Sequence, residues 1–165
     1  MDESVQPDEP PDAYVRRLAL AKSARALELL EGGATDAPVI LAADTAVVVD
    51  GRILGKPADE DDARAMLRSL SGRRHDVLTG ISLRQGSHEA GGVEHTGVYF
   101  SPLGDPEIEW YVKSGEGADK AGGYAVQGLA ARFVWRIEGS YTNVVGLPVE
   151  TVYQLLRSEL GRAES

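Results

Sequence analysis

The chain has four lysines against thirteen arginines, and three of those lysines stand where chemistry is possible. A compact ammonium on a flexible stem is not interchangeable with a guanidinium where geometry matters, so each retained lysine asks for a reason. Lys22 falls within a helical pattern, near the centre of the apolar stripe Val15, Leu18, Ala26 and Leu29. Two readings fit it: a stem covering apolar surface with its ammonium in water, or an ammonium aimed into a cleft at an anion. Asp44 ends the apolar run 39–43, so it is expected at the carboxyl end of a strand, where the ligand crevices of α/β sheets lie. A carboxylate there caps the next turn, holds a hard cation or activates water. Lys56 lies between Gly55 and Pro57 at the mouth of an adjacent hairpin. It is either a turn residue or a ligand contact on a backbone that glycine lets come close and proline stiffens. The stretch 119–128, DKAGGYAVQG, joins a carboxylate, an ammonium and an amide among glycines. It is either a solvated loop or one that grips phosphate oxygens and presents Gln127 to a base edge.

Composition removes other chemistries. There is no cysteine, which excludes disulfides, thiolate nucleophiles and Cys-ligated metals. His75, His88 and His95 have no zinc spacing, no serine stands in a nucleophile-elbow context, and neither a Walker loop nor a dinucleotide fingerprint is present. A net charge of −9 argues against a nucleic-acid partner. No apolar run is long enough to span a membrane, and no basic-then-apolar leader opens the chain. The expected compartment is the cytoplasm. What remains suits metal-assisted attack on a phosphorylated substrate.

The elements that must carry these residues follow from pattern and punctuation. At 165 residues the chain is expected to be one domain. The head, 1–12, holds five acids and three prolines and reads as a loop. A helix is expected over 11–30, closed by Gly32-Gly33, and a strand buried on both faces over 39–43. A hairpin follows, 46–49 and 52–54 around Asp50-Gly51. A helix over 60–70 buries Ala63, Met66, Leu67 and Leu70, with acids at its start and arginines at its end as the helix dipole prefers. Strands over 76–84 and 93–100 are joined by a glycine-rich loop. Then come a short helix over 105–113, the long loop 115–128, a strand over 133–137 and a last helix over 148–160 that turns Val149, Val152, Tyr153 and Leu156 inward. The order specifies a mixed α/β fold.

Six segments keep their order and relative spacing: Ala43-Asp44-Thr45; Gly55-Lys56-Pro57; 70–75, LSGRRH; Thr79-Gly80; 119–128; and 137–148, IEGSYTNVVGLP. In them the chain resembles the Maf-type nucleoside triphosphate pyrophosphatases over nearly its whole length. The resemblance implies the α/β fold shared with inosine triphosphate pyrophosphatases, an elongated mixed sheet flanked by helices with a cleft between two lobes. It implies hydrolysis between the α and β phosphates with Mg²⁺ or Mn²⁺, releasing a nucleoside monophosphate and pyrophosphate. By position, Asp44 resembles the catalytic carboxylate, a proton acceptor close to the metal. Glu3 resembles the acid that helps hold the cation, and Lys22, Lys56 and Lys120 resemble the lysines around the phosphates. Thr45 and Gln127 match positions tied to base choice, and a threonine after the catalytic aspartate is similar to the branch preferring dTTP and UTP. The resemblance further implies a homodimer. The family pattern opens with a strand and a Ser-rich loop bearing paired arginines, whereas Met1 here directly precedes Asp2-Glu3, so an N-terminally truncated domain with an open sheet edge is expected. The alternatives are a catalytically inactive nucleotide-binding or regulatory remnant, or another metal-dependent phosphohydrolase.

Overall fold

The computed structural model describes residues 2–30 and 38–163, with side chains through 159. Its order is α1 (Pro11–Leu30), β1 (Val39–Val49), β2 (Arg52–Leu54), α2 (Glu60–Leu70), β3 (Arg74–Gln85), β4 (His88–Phe100), α3 (Asp105–Lys113), β5 (Val134–Glu138), α4 (Tyr141–Val145) and α5 (Val149–Ala163). The strands form one antiparallel sheet in the order β2-β1-β3-β4-β5. The mixed α/β expectation holds.

Side chains alternate across a strand, and β1 uses both faces. Ala46 and Val48 pack with Tyr14, Val15 and Leu18 of α1. Val47 and Val49 join the larger core with Leu67 and Leu70 of α2, Tyr111 of α3 and Phe100 of β4. The helix α1 crosses the sheet over Thr79-Gly80, and contact is so close that a Cβ at residue 80 would lie 2.2 Å from the Val15 carbonyl oxygen. Only glycine lets helix and strand backbones approach this far. The helix α2 has the expected ends: Asp59 accepts the N–H of Asp62 at 2.8 Å, and Arg68 lies in the last turn.

Several expectations are corrected. Asp44 is not at a strand end, because β1 runs unbroken from Val39 to Val49. Pairing with β3 from Val39↔Gln85 to Val48↔Asp76 carries the backbone through the polar residues. Nor is 39–43 buried on both faces, since Val39 and Leu41 are exposed and Ile40 is buried. The glycines Gly91 and Gly92 lie inside β4, and the β3–β4 connection is a tight turn at Gly86, whose φ is positive. In α5 only Val152 of the expected inward set is fully buried, while Val149 and Tyr153 point to solvent. Leu29 is exposed too, and the inward face of α1 ends in Lys22 and Ser23 instead. The expected Gly32-Gly33 stop lies outside the described residues. No helix is long and apolar enough to cross a membrane among the described residues.

His75 is buried where β3 meets the long loop, its Nε2 2.7 Å from the Tyr124 hydroxyl. Burial, aided by the neighbouring Arg74 charge, pushes its pKa down from 6.5 to about 4. An unfolded chain takes up this proton near the ordinary value, and the folded one resists until about 4. The stabilisation is therefore complete above the unfolded value and is lost as pH falls through the window between the two, on the order of 3 kcal/mol in all. The urea midpoint is expected to fall between pH 7 and pH 4.5, and His75→Gln should flatten that fall. An equal fall in both proteins would assign the acid sensitivity to other groups.

Candidate active site

Strand β2 pairs with β1 only at Val47, Val48 and Val49. Over 43–46, β1 has β3 on one side and no strand on the other among the described residues. A cavity of about 520 Å³ wraps this free edge. An edge exposes both faces of its strand at once, so neighbouring residues reach one space from opposite sides. Asp44 and Thr45 both line the cavity for this reason, with Asp44 meeting α1 and Thr45 meeting β3 and the turn after α4.

All seven residues singled out in the sequence line this cavity: Glu3, Lys22, Asp44, Thr45, Lys56, Lys120 and Gln127. The Lys22 ammonium donates a hydrogen bond to Asp44 Oδ1 and lies 3.6 Å from Glu3 Oε1. The Asp44 side chain is only 12% exposed, and Lys22 supplies the partner that a buried carboxylate needs. Burial alone would lower the Lys22 pKa, but the hydrogen bond and charge of Asp44, with the charge of Glu3, outweigh it and raise it. Lys22 is thus paired rather than free: it is the counter-ion of a largely buried carboxylate.

On the opposite side, the main-chain N–H of Gly122 donates to the Gly55 carbonyl at 3.0 Å, which joins the Lys56 turn to the Lys120 loop. Lys120 pairs with Asp119 at 3.0 Å. That hydrogen bond, with the Lys120 charge and a weaker effect of Lys56, holds the Asp119 carboxyl below its ordinary value. Lys56 is exposed and has no ion pair among the described residues. The Thr45 hydroxyl lies 2.8 Å from the Thr79 hydroxyl and donates to the Gly146 carbonyl at 3.3 Å. Val77, Val126, Val144 and Val145 supply an uncharged wall, with the exposed Gln127 beside it.

Two contributions escaped sequence reasoning. Tyr14 lines the cavity and its hydroxyl donates to the Glu3 carbonyl at 3.0 Å, which ties the N-terminal arm beside Lys22. Burial first, then the charges of Asp44 and Glu3, raise its pKa. Its signal was the spacing of Tyr14, Leu18 and Lys22, one helix face at steps of four. The second is α4. Ser140 caps it, and the buried Asn143 amide fastens it by donating to the Val77 carbonyl at 3.1 Å and the Thr96 hydroxyl at 2.9 Å. The segment was visible as a motif, but its helical turn was not.

No group of three or more His, Cys, Asp or Glu side chains is placed to hold a metal among the described residues. The two carboxylates at Lys22 are hard oxygen donors. Mg²⁺ and similar ions are commonly held by one or two carboxylates, with phosphate oxygens and water completing the shell. The donor set fits a divalent cation that arrives with a phosphorylated ligand.

Fold and cavity together define a mixed α/β protein with a cavity beside residues 43–46 of β1, lined by paired charges at one part and an uncharged wall at another. The chain belongs to the Maf-like protein family, whose model matches residues 1–159. It is 51% identical over 161 residues to a dTTP/UTP pyrophosphatase of Anaeromyxobacter sp. (strain Fw109-5), covering 94% of this chain and 74% of the relative. A dTTP/UTP pyrophosphatase of Symbiobacterium thermophilum is 49% identical over 156 residues, covering 94% of this chain and 78% of the relative. One of Chromobacterium violaceum is 47% identical over 161 residues, covering 98% and 81%.

The ion pair generates a direct test. Asp44→Asn removes the carboxylate and leaves the burial of Lys22 in place, so the Lys22 pKa should drop below its wild-type value. NMR titration of the Lys22 Cε and Nζ resonances reads this. An unchanged titration would mean that Asp44 does not hold the ammonium in solution.

Proposed function

We propose that this protein is a nucleoside triphosphate pyrophosphatase of the dTTP/UTP type, cleaving the bond between the α and β phosphates to give a nucleoside monophosphate and pyrophosphate. The observation that carries the reading is the meeting, in one cavity, of the Lys22–Asp44 pair, the Lys56 and Lys120 ammoniums and the uncharged wall beside Thr45 and Gln127. The relatives named for this activity support it. A volume near 520 Å³ lies within the usual range for small-ligand sites.

Asp44 is assigned as the proton acceptor for the attacking water. Its carboxylate is held in place by the hydrogen bond from Lys22. Lys56 faces the negative charge that grows on the leaving pyrophosphate, where an ammonium stabilises the transition state more than the ground state, and Lys120 binds the phosphates of the substrate. Glu3 and Asp44 are the residues that would hold Mg²⁺ or Mn²⁺; a bound cation supplies Lewis-acid polarisation of the phosphoryl oxygens. Gln127 offers both donor and acceptor to a base edge. The Thr45 hydroxyl is engaged with Thr79 and Gly146, so its part in base choice is to fix the Gly146 carbonyl in the wall. Family resemblance further argues for a homodimer, and the net charge of −9 argues against a nucleic-acid partner; the cytoplasm is the compartment we propose.

Hydrolysis of dTTP or UTP is expected to release pyrophosphate and to stop in EDTA. Orthophosphate as the first product would refute the assignment, and full activity in EDTA would remove the cation from it. Asp44→Asn should lower kcat by about 10²–10⁴, the usual span for a general base.

Base selection is separable from chemistry. Gln127→Ala should flatten the preference among nucleotides more than it slows the best substrate, since a lost base-edge contact is worth about 1–3 kcal/mol. An equal fall in kcat/KM for every nucleotide would instead make Gln127 part of the general architecture.

A further inference from the structure

Glu116 does not line the large cavity, yet its carboxylate gathers the loop that does. Oε1 accepts the main-chain N–H of Leu129 at 2.8 Å. Oε2 accepts the Tyr111 hydroxyl at 2.8 Å and, more distantly, the Ala130 N–H at 3.4 Å. The Tyr111 side chain, buried on α3, accepts the Ala125 N–H at 3.1 Å with that same hydroxyl oxygen. Residues 116, 125 and 129–130 are thus knotted together beneath the loop, and both Lys120 and Gln127 project from the enclosed chain. The knot is tight: a Cβ at Gly128 would lie 2.0 Å from Glu116 Oε1. Burial pushes the Glu116 pKa up, but the bonds from Leu129, Tyr111 and Ala130 more than offset this and leave it below its ordinary value, so the clasp is charged at neutral pH.

We propose that Glu116, acting with Tyr111, is a positioning residue for nucleotide recognition: it orders the 117–128 loop before substrate arrives and so fixes where Lys120 and Gln127 stand. This rests on the reading above that those two residues meet the nucleotide. A loop ordered in advance spares the binding step its conformational entropy, so the clasp acts on affinity and base preference rather than on the bond-breaking step.

Glu116→Ala and Tyr111→Phe are each expected to raise KM for dTTP about tenfold while kcat stays within about threefold, and to narrow the preference for dTTP over a purine nucleotide. The two changes break one network, so the double variant should cost little more than either single one. Amide hydrogen exchange over 117–127 should quicken in both. Glu109→Ala is the control: Glu109 lies on the same helix as Tyr111 but pairs with Arg64 and Lys113 on the surface. It should lower Tm with KM and loop exchange unchanged. Lower Tm with unchanged KM in the Glu116 and Tyr111 variants would overturn the proposal, as would additive effects. If the wild-type protein hydrolyses no nucleoside triphosphate, the pyrophosphatase reading fails. The clasp is then decided by exchange alone, quickened loop amides upholding it and unchanged ones overturning it.

Discussion

The geometry of the site depends on where β2 stops. A strand paired on both sides shows a ligand only one face, and its two rows of side chains never meet. Because β2 ends opposite Val47, the segment 43–46 has no strand on its second side among the described residues, and one cavity reaches around it. Asp44 then serves from the α1 side while Thr45 serves from the β3 side, one residue apart. Two different surroundings, a charged cluster and a neutral wall, are placed side by side with no loop between them. The edge is rigid because its other side is zipped to β3 along ten consecutive residue pairs, from Val39 to Val48. Rigid elements place functional groups more accurately than loops do.

A carboxylate 12% exposed in the middle of a strand is costly, and the remaining helices compensate for it. Lys22 provides the charge, and it can do so only because α1 lies flat on β3. The bare backbone of Gly80 permits that approach. The inward face of α1 accordingly changes character along its length, from Val15, Leu18 and Ala19 to Lys22 and Ser23. Ser23 continues the polar theme, its hydroxyl 2.7 Å from that of Ser82. Tyr14 then brings the N-terminal arm back to the same point. Helix, arm and strand are mutually dependent around one ion pair.

Much of this was legible in residue type and spacing. The α1 and α2 limits and the hairpin at Asp50-Gly51 followed from caps and punctuation; Lys22, Asp44, Lys56, Lys120 and Gln127 stood out by type and position, while Glu3 and Thr45 were named only through the family resemblance. What failed shares one cause. A polar residue after an apolar run looks like a strand end, and Gly91-Gly92 looks like a turn, because one-dimensional patterns weigh each residue's own preference. The ladder between β1 and β3 pairs residues 28 to 46 positions apart, which no local pattern shows, and it carries the backbone through Asp44, as the β3–β4 ladder carries it through Gly91 and Gly92. Val149 and Tyr153 failed similarly, since helical periodicity gives a stripe but not which side is covered. Glu116 was unreadable for a related reason: its meaning lies in backbone N–H groups thirteen and fourteen residues away, which carry no residue signature.

The charge balance of the cavity carries the mechanism one step further. Its lining holds three ammoniums, Lys22, Lys56 and Lys120, and three carboxylates, Glu3, Asp44 and Asp119. Two of the ammoniums are already spent on carboxylates within the site. A nearly neutral pocket in a chain of net charge −9 offers a triphosphate little long-range attraction. Lys56 alone, exposed and without an ion pair among the described residues, cannot balance such an anion. If the proposed function holds, electroneutrality on binding favours a triphosphate that brings its own divalent cation, which Glu3 and Asp44 would receive as oxygen donors. Under the proposed function, the carboxylates would then not oppose the anion but receive the form of it that has a metal attached.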